Sequence, residues 1–189
     1  MILHIQASPA DVFEMVTQRY PDRRFELIAG ETIEKAPNFT HSITAYILGG
    51  FLFIYIRAHP IGWVLPEARY KLPHDDENDR IPDLSFIKRI KGRAVPPKAV
   101  IPFMPDLAVE VQSPGQSKNF MREKAQYYFA NGTQIVWLIY PDPEEIEVMT
   151  AVSSHTLTTA DSLSGGDLLP SFSLAVKEIF TIQPTLEDE

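Results

Sequence analysis

Between Pro105 and Tyr140 the sequence spells strand, helix, strand, and few folds accommodate that order. PDLAVEVQSP (Pro105 to Pro114) alternates Leu107, Val109 and Val111 with Asp106, Ala108, Glu110 and Gln112, the period of an extended chain. QIVWLIY (Gln134 to Tyr140) is a continuous apolar run, as in a strand covered on both faces. Between them, SKNFMREKAQYYFANG sets Phe120, Met121, Ala125 and Tyr128 at helical spacings and stops at Asn131-Gly132. Strand–helix–strand places the two strands parallel with a right-handed crossover. Together with the strands and helices upstream, the pattern predicts an α/β fold with α+β character, a mixed β-sheet flanked by helices.

Upstream, Ser8 before Pro9 reads as the N-cap of a helix running to about Tyr20. FELIAGETIEK reads as a hairpin turning at Ala29-Gly30. A long helix from about Asn38 to Ala58 is apolar on nearly every side, which predicts a place between the sheet and another layer. Gly49-Gly50 within it predicts close packing against a neighbour. GWVLPEARYKL and RIPDLSFIKR read as strands joined by the acidic turn HDDEND. EIEVMTA and HTLTTAD read as two further strands, LAVKEIF as a final helical turn and PTLEDE as a tail.

A length of 189 residues with 44% hydrophobic content suits one domain, 1–189. Without cysteine there is neither a disulfide framework nor a thiolate zinc site. The longest apolar run, AYILGGFLFIYI, falls short of the roughly 20 residues a membrane span needs. A soluble, cytoplasmic protein without a membrane partner is the expectation. The net charge of −8 argues against a broad nucleic-acid surface held by counterion release, but leaves room for a local basic cleft. Lys88, Arg89, Lys91, Arg93 and Lys98 cluster in one segment that reads as a solvated loop.

Two strands each carry an acid in apolar surroundings, Asp83 after Pro82 and Glu110 in VEVQ. Should the strands pair, both carboxylates converge on one divalent ion, and oxygen-only ligation suits magnesium or manganese. The plainer reading makes Asp83 a turn cap and Glu110 the partner of a nearby cation. Lys124, in the middle of the apolar stripe of its helix, points toward the sheet that carries Glu110; a snorkelling lysine is the alternative. A buried cation facing buried carboxylates is what metal-assisted phosphate hydrolysis needs. The five histidines are scattered, without H-x-x-x-H, and neither G-x-G-x-x-G nor a P-loop is present. Ser113 and Ser117 have no histidine neighbour in sequence.

The pattern PD, gap, E-x-Q resembles the PD-(D/E)xK nuclease superfamily, with Gln112 where that superfamily usually has lysine. The wider set is similar to the Uma-two family of endonucleases, long known as a domain of unknown function. It comprises FELIAGE, the helix opening with His41, RIPDLSFI, PDLAVEVQSP, Lys124 with Tyr128, and NGTQIVWLI. The resemblance covers about Phe25 to Phe180 and implies a restriction-endonuclease-like core. It implies that Asp83 and Glu110 bind Mg2+ or Mn2+, with the Val111 carbonyl as a further ligand. Lys124 would replace the missing strand lysine as catalytic cation, and Gln112 would place the water or phosphate. Many superfamily members carry one more acid on the helix before the sheet; here that helix offers Thr40, His41 and Ser42, and Glu67 is the nearest alternative. The activity implied is Mg-dependent DNA hydrolysis by a homodimer. The alternative is an inactive nuclease fold that binds nucleic acid or a protein.

Overall fold

Ser8 opens the chain's first helix in the computed structural model, which describes residues 7–90, 93–96 and 100–181. His4, Lys91, Lys98 and the tail PTLEDE lie outside the described residues. The Ser8 hydroxyl accepts from the Asp11 amide at 3.2 Å, and the Asp11 carboxylate accepts from the Ser8 amide at 3.0 Å. This reciprocal cap starts α1 (Pro9–Arg19). β1 (Arg24–Ile28) and β2 (Glu31–Lys35) then pair antiparallel, from Arg24 opposite Lys35 to Ile28 opposite Glu31. Ala29 and Gly30 both have positive φ, as a two-residue hairpin turn requires.

The main sheet has six strands in sequence order. They are β3 (Gly62–Pro66), β4 (Leu84–Lys88), β5 (Leu107–Val111), β6 (Ile135–Tyr140), β7 (Glu145–Met149) and β8 (Ser154–Leu157). Only β5 and β6 run parallel, joined by α3 (Lys118–Ala130), as the sequence pattern requires. Alternation sorts the side chains of each strand. Leu107, Val109 and Val111 face a core shared with α2 (Phe39–Ala58), while Ala108 joins Met121 and Tyr128 of α3 on the opposite face. By the same period Glu110 faces α3.

Beyond β8, β9 (Ser162–Gly165) and β10 (Leu169–Ala175) form a second hairpin before α4 (Val176–Phe180). Their leucines pack with α2. The segment GWVLPEARYKL is strand only as far as Pro66, since Glu67 turns the chain with positive φ. Tyr70 makes isolated bridges to Arg80 and Ile101 instead. Arg93, expected in a solvated loop, is tied to the Asp106 carboxylate and the Lys88 carbonyl.

α2 departs from expectation. Leu48 and Leu52 pack into the sheet, but Tyr46 is 77% exposed, and Phe39, Phe53 and Ile54 share its uncovered side. Its 20 residues have the length and composition of a membrane-crossing helix, yet one face belongs to the sheet's core. An all-round apolar pattern says which faces could be covered, and no second layer among the described residues covers the outer one. Gly49 does receive a neighbour, with Leu84 Cδ2 at 3.1 Å from where a Cβ would stand, while Gly50 faces open space.

Gly62 has the tightest requirement on the edge strand. A Cβ there would meet the Ile87 carbonyl oxygen and the Phe86 ring. Gly62→Ala is expected to destabilise the protein by about 1–3 kcal/mol through overpacking. Urea unfolding should show a lower midpoint with an unchanged slope.

Candidate active site

The register of β4 on β5, Leu84 opposite Val109, continues to place Asp83 opposite Glu110. Both carboxyls are almost fully buried, at 4% and 2% exposure. Asp83 Oδ2 accepts from the Val111 amide at 2.7 Å and from His41 Nε2 at 3.1 Å. Because that oxygen is a carboxylate acceptor, Nε2 carries the proton, and the buried Nδ1 has no partner among the described residues. Asp83 Oδ1 accepts from Lys35 Nζ at 2.7 Å, and the same ammonium donates to the Ile81 carbonyl at 2.6 Å.

A second cluster adjoins the first. Lys124 Nζ donates to Glu110 Oε2 at 2.6 Å and to Glu26 Oε2 at 2.9 Å. Tyr128, one turn on along α3, donates its hydroxyl to Glu110 Oε1 at 2.7 Å. The other Glu26 oxygen accepts from the Ile81 amide at 2.8 Å. Helical spacing of four thus aims Lys124 and Tyr128 at one carboxylate.

Burial alone would raise the Asp83 carboxyl, but the Lys35 ammonium and the His41 bond hold it well below the usual carboxylate range. Glu26 is lowered too, with Lys124 and Lys35 overcoming burial. Burial pushes Glu110 up, reinforced by the negative charges of Glu26 and Asp83 and opposed by Lys124. Burial works against the charge on Lys124, yet Glu110 and Glu26 raise its pKa overall. The site therefore holds its ammoniums firmly and its three acids unequally.

These groups border a cavity of about 480 Å³ lined by Glu26, Lys35, His41, Asp83, Glu110 and Lys124, and closed on one side by the loop from Ser113 to Ser117. Asp83, Glu110, Val111 and Lys124, singled out in the sequence, meet there. Gln112 does not join the lining. β5 ends at Val111, so Gln112 leaves the strand's period, and its Nε2 donates to the Gln116 carbonyl at 2.6 Å. Glu67 stays out of this lining: its carboxylate lies 3.4 Å from Arg24, and the residue borders an adjoining cavity against α2 that also includes His41 and Asp83. The extra acid comes instead from Glu26 on the hairpin, and the extra cation from Lys35. Glu26 had a local signal, being the single polar residue in the apolar run FELIA. Lys35, at the exposed-looking end of ETIEK, had none.

The donor set suits a hard divalent ion, with carboxylates on two adjacent strands and a backbone carbonyl at Val111. Among the described residues, however, no three acids or histidines are grouped as a ready cage. The oxygens at Asp83 already surround a cation, the Lys35 ammonium. The chemistry of the donors fits a metal ion, and the cation seen at Asp83 is the Lys35 ammonium.

The profile of the Uma2 family, described as "Putative restriction endonuclease", matches residues 10–177. A search of curated proteins finds no match. Among solved structures, the chain is similar to "a putative nuclease belonging to DUF820 from Anabaena variabilis ATCC 29413". The two share 19% identity and a TM-score of 0.75, over 93% of this chain and 98% of that one. At that identity the likeness speaks for the fold alone, a mixed sheet between helices. With the family match spanning nearly the whole chain, the protein belongs to the Uma2 family of restriction-endonuclease-like proteins.

Proposed function

We propose that the protein is a divalent-metal-dependent endonuclease that hydrolyses phosphodiester bonds of DNA. The observation that carries this reading is the convergence of Asp83, Glu110 and Lys124 on one cavity. Asp83 and Glu110, with the Val111 carbonyl, would hold magnesium or manganese. When bound, such an ion acidifies a water and offsets phosphate charge. Lys124 keeps Glu110 and Glu26 paired and would present a cation to the phosphoryl oxygens on which negative charge develops. Tyr128 fixes the orientation of Glu110. Gln112 holds the Ser113–Ser117 loop at the cavity mouth, a positioning role in place of direct contact with water or phosphate.

The proposal extends to a cytoplasmic homodimer whose contact is the outer face of α2, where Phe39, Tyr46, Phe53 and Ile54 are exposed. Light scattering after size exclusion checks it, with Tyr46→Asp expected to yield monomers. A second reading, an inactive nuclease fold that binds nucleic acid or protein, is favoured by the lysines already seated on the acids.

Plasmid and single-stranded DNA incubated with Mg2+ or Mn2+ separate the two. Cleavage by the wild type that stops with chelator and with Glu110→Gln supports the enzyme. Tight DNA binding with no cleavage in either metal would leave the interaction module standing.

A further inference from the structure

Lys35 reaches Asp83 from the last position of β2, and the chain then passes through Ala36 and Pro37 to the cap of α2. Its side chain is 10% exposed and borders the cavity. Its ammonium sits among oxygens, the Asp83 carboxylate at 2.7 Å and the Ile81 carbonyl at 2.6 Å. That is the ligand chemistry a hard metal ion would seek at the same aspartate.

Charge balance decides what happens when an ion arrives. Three buried carboxylates, Glu26, Asp83 and Glu110, face two buried ammoniums, Lys35 and Lys124, leaving one negative charge. A divalent ion added beside both ammoniums would leave an uncompensated positive charge among buried groups. An ion that takes the place of the Lys35 ammonium leaves the cluster neutral. Lys124 is the worse candidate to leave, being 3% exposed and bonded to two carboxylates. Lys35, which lines the same cavity, is 10% exposed and binds one.

We propose that the Lys35 ammonium occupies the divalent-ion position at Asp83, so that metal binding by this protein is a competition with its own side chain. This rests on the metal-site reading above. It makes the wild-type affinity for the ion low and sets it through a residue of the hairpin, outside the main sheet.

Mn2+ titration followed by the electron paramagnetic resonance signal of the free ion tests this without any activity readout. Lys35→Met, which keeps bulk and removes charge, is expected to bind Mn2+ about 10- to 100-fold more tightly than the wild type. Lys35→Arg should stay as weak as the wild type, since it keeps the charge. Asp83→Asn should abolish binding in either background. Equal or weaker binding by Lys35→Met, with Asp83→Asn still abolishing it, overturns the role of Lys35 and leaves the metal site intact. Binding that ignores Asp83→Asn, or no binding in any variant, overturns the metal-site reading and this inference with it. Should circular dichroism show Lys35→Met unfolded, Lys35→Gln replaces it under the same criteria.

Discussion

A Lys124→Met variant should melt on the order of 10 °C below the wild type and cleave no DNA above background. Methionine keeps most of the volume, so little of the loss comes from a cavity. What is removed is the cation between Glu110 and Glu26, leaving two buried carboxylates without it. Breaking a buried pair from one side costs about 3–5 kcal/mol, and each kcal/mol is worth about 2–4 °C at this chain length. Differential scanning calorimetry reads the shift. Adding Glu110→Gln should recover part of it, because the double variant no longer buries that unpaired charge. A melting temperature unchanged by Lys124→Met would mean that the lysine lies outside the cluster.

Asp83→Asn should lower DNA cleavage by about three powers of ten while leaving most molecules folded. The side chain keeps its shape, but both carboxylate oxygens now act as acceptors, one for Lys35 and one for His41 and the Val111 amide. An amide offers a single acceptor, so one donor is orphaned at a cost of about 1–3 kcal/mol. The activity loss is larger because the group that would hold the ion is gone, and several kcal/mol of transition-state stabilisation convert at about 1.4 kcal/mol per tenfold. Glu67→Ala is the control. Glu67 neighbours Asp83 through its backbone, but its half-exposed carboxylate pairs with Arg24 and lies outside the lining that Glu110 and Lys124 share, so its loss should leave cleavage within about twofold. Equal losses in the two variants would move the acid site away from Asp83.

The residues that local periodicity governs were legible before any coordinates. Glu110 follows Ala108 to the α3 side by the period of two, Asp83 follows the same rule across the strand pair, and Lys124 lies within the helical stripe of Met121 and Tyr128. Gln112 escaped the rule because β5 stops one residue earlier. Glu26 and Lys35 were hidden for a different reason. Their hairpin forms its own small sheet, and its docking rests on tertiary bonds such as the mutual amide–carbonyl pair of Leu27 and Asp79. No period within FELIAGETIEK encodes that docking. β9 and β10 were missed because serines, glycines and Pro170 dilute the strand signal there. For α2, composition specifies what a face prefers and leaves open whether the chain supplies a cover.

The hairpin docking has a consequence for assembly. Glu26 meets Lys124 across a separation of 98 residues, and Lys35 meets Asp83 across 48. Closing such distant pairs comes at the slow, entropy-limited end of folding. β5 and α3 by themselves bring Glu110 and Lys124 together, but without the clasp their neighbours stay uncompensated and the cavity lacks a wall. An emerging or half-folded chain thus carries acids without a finished reaction chamber. On the reading proposed above, competence for phosphate chemistry would belong to the completed molecule, acquired when its first strands fold back over its later ones.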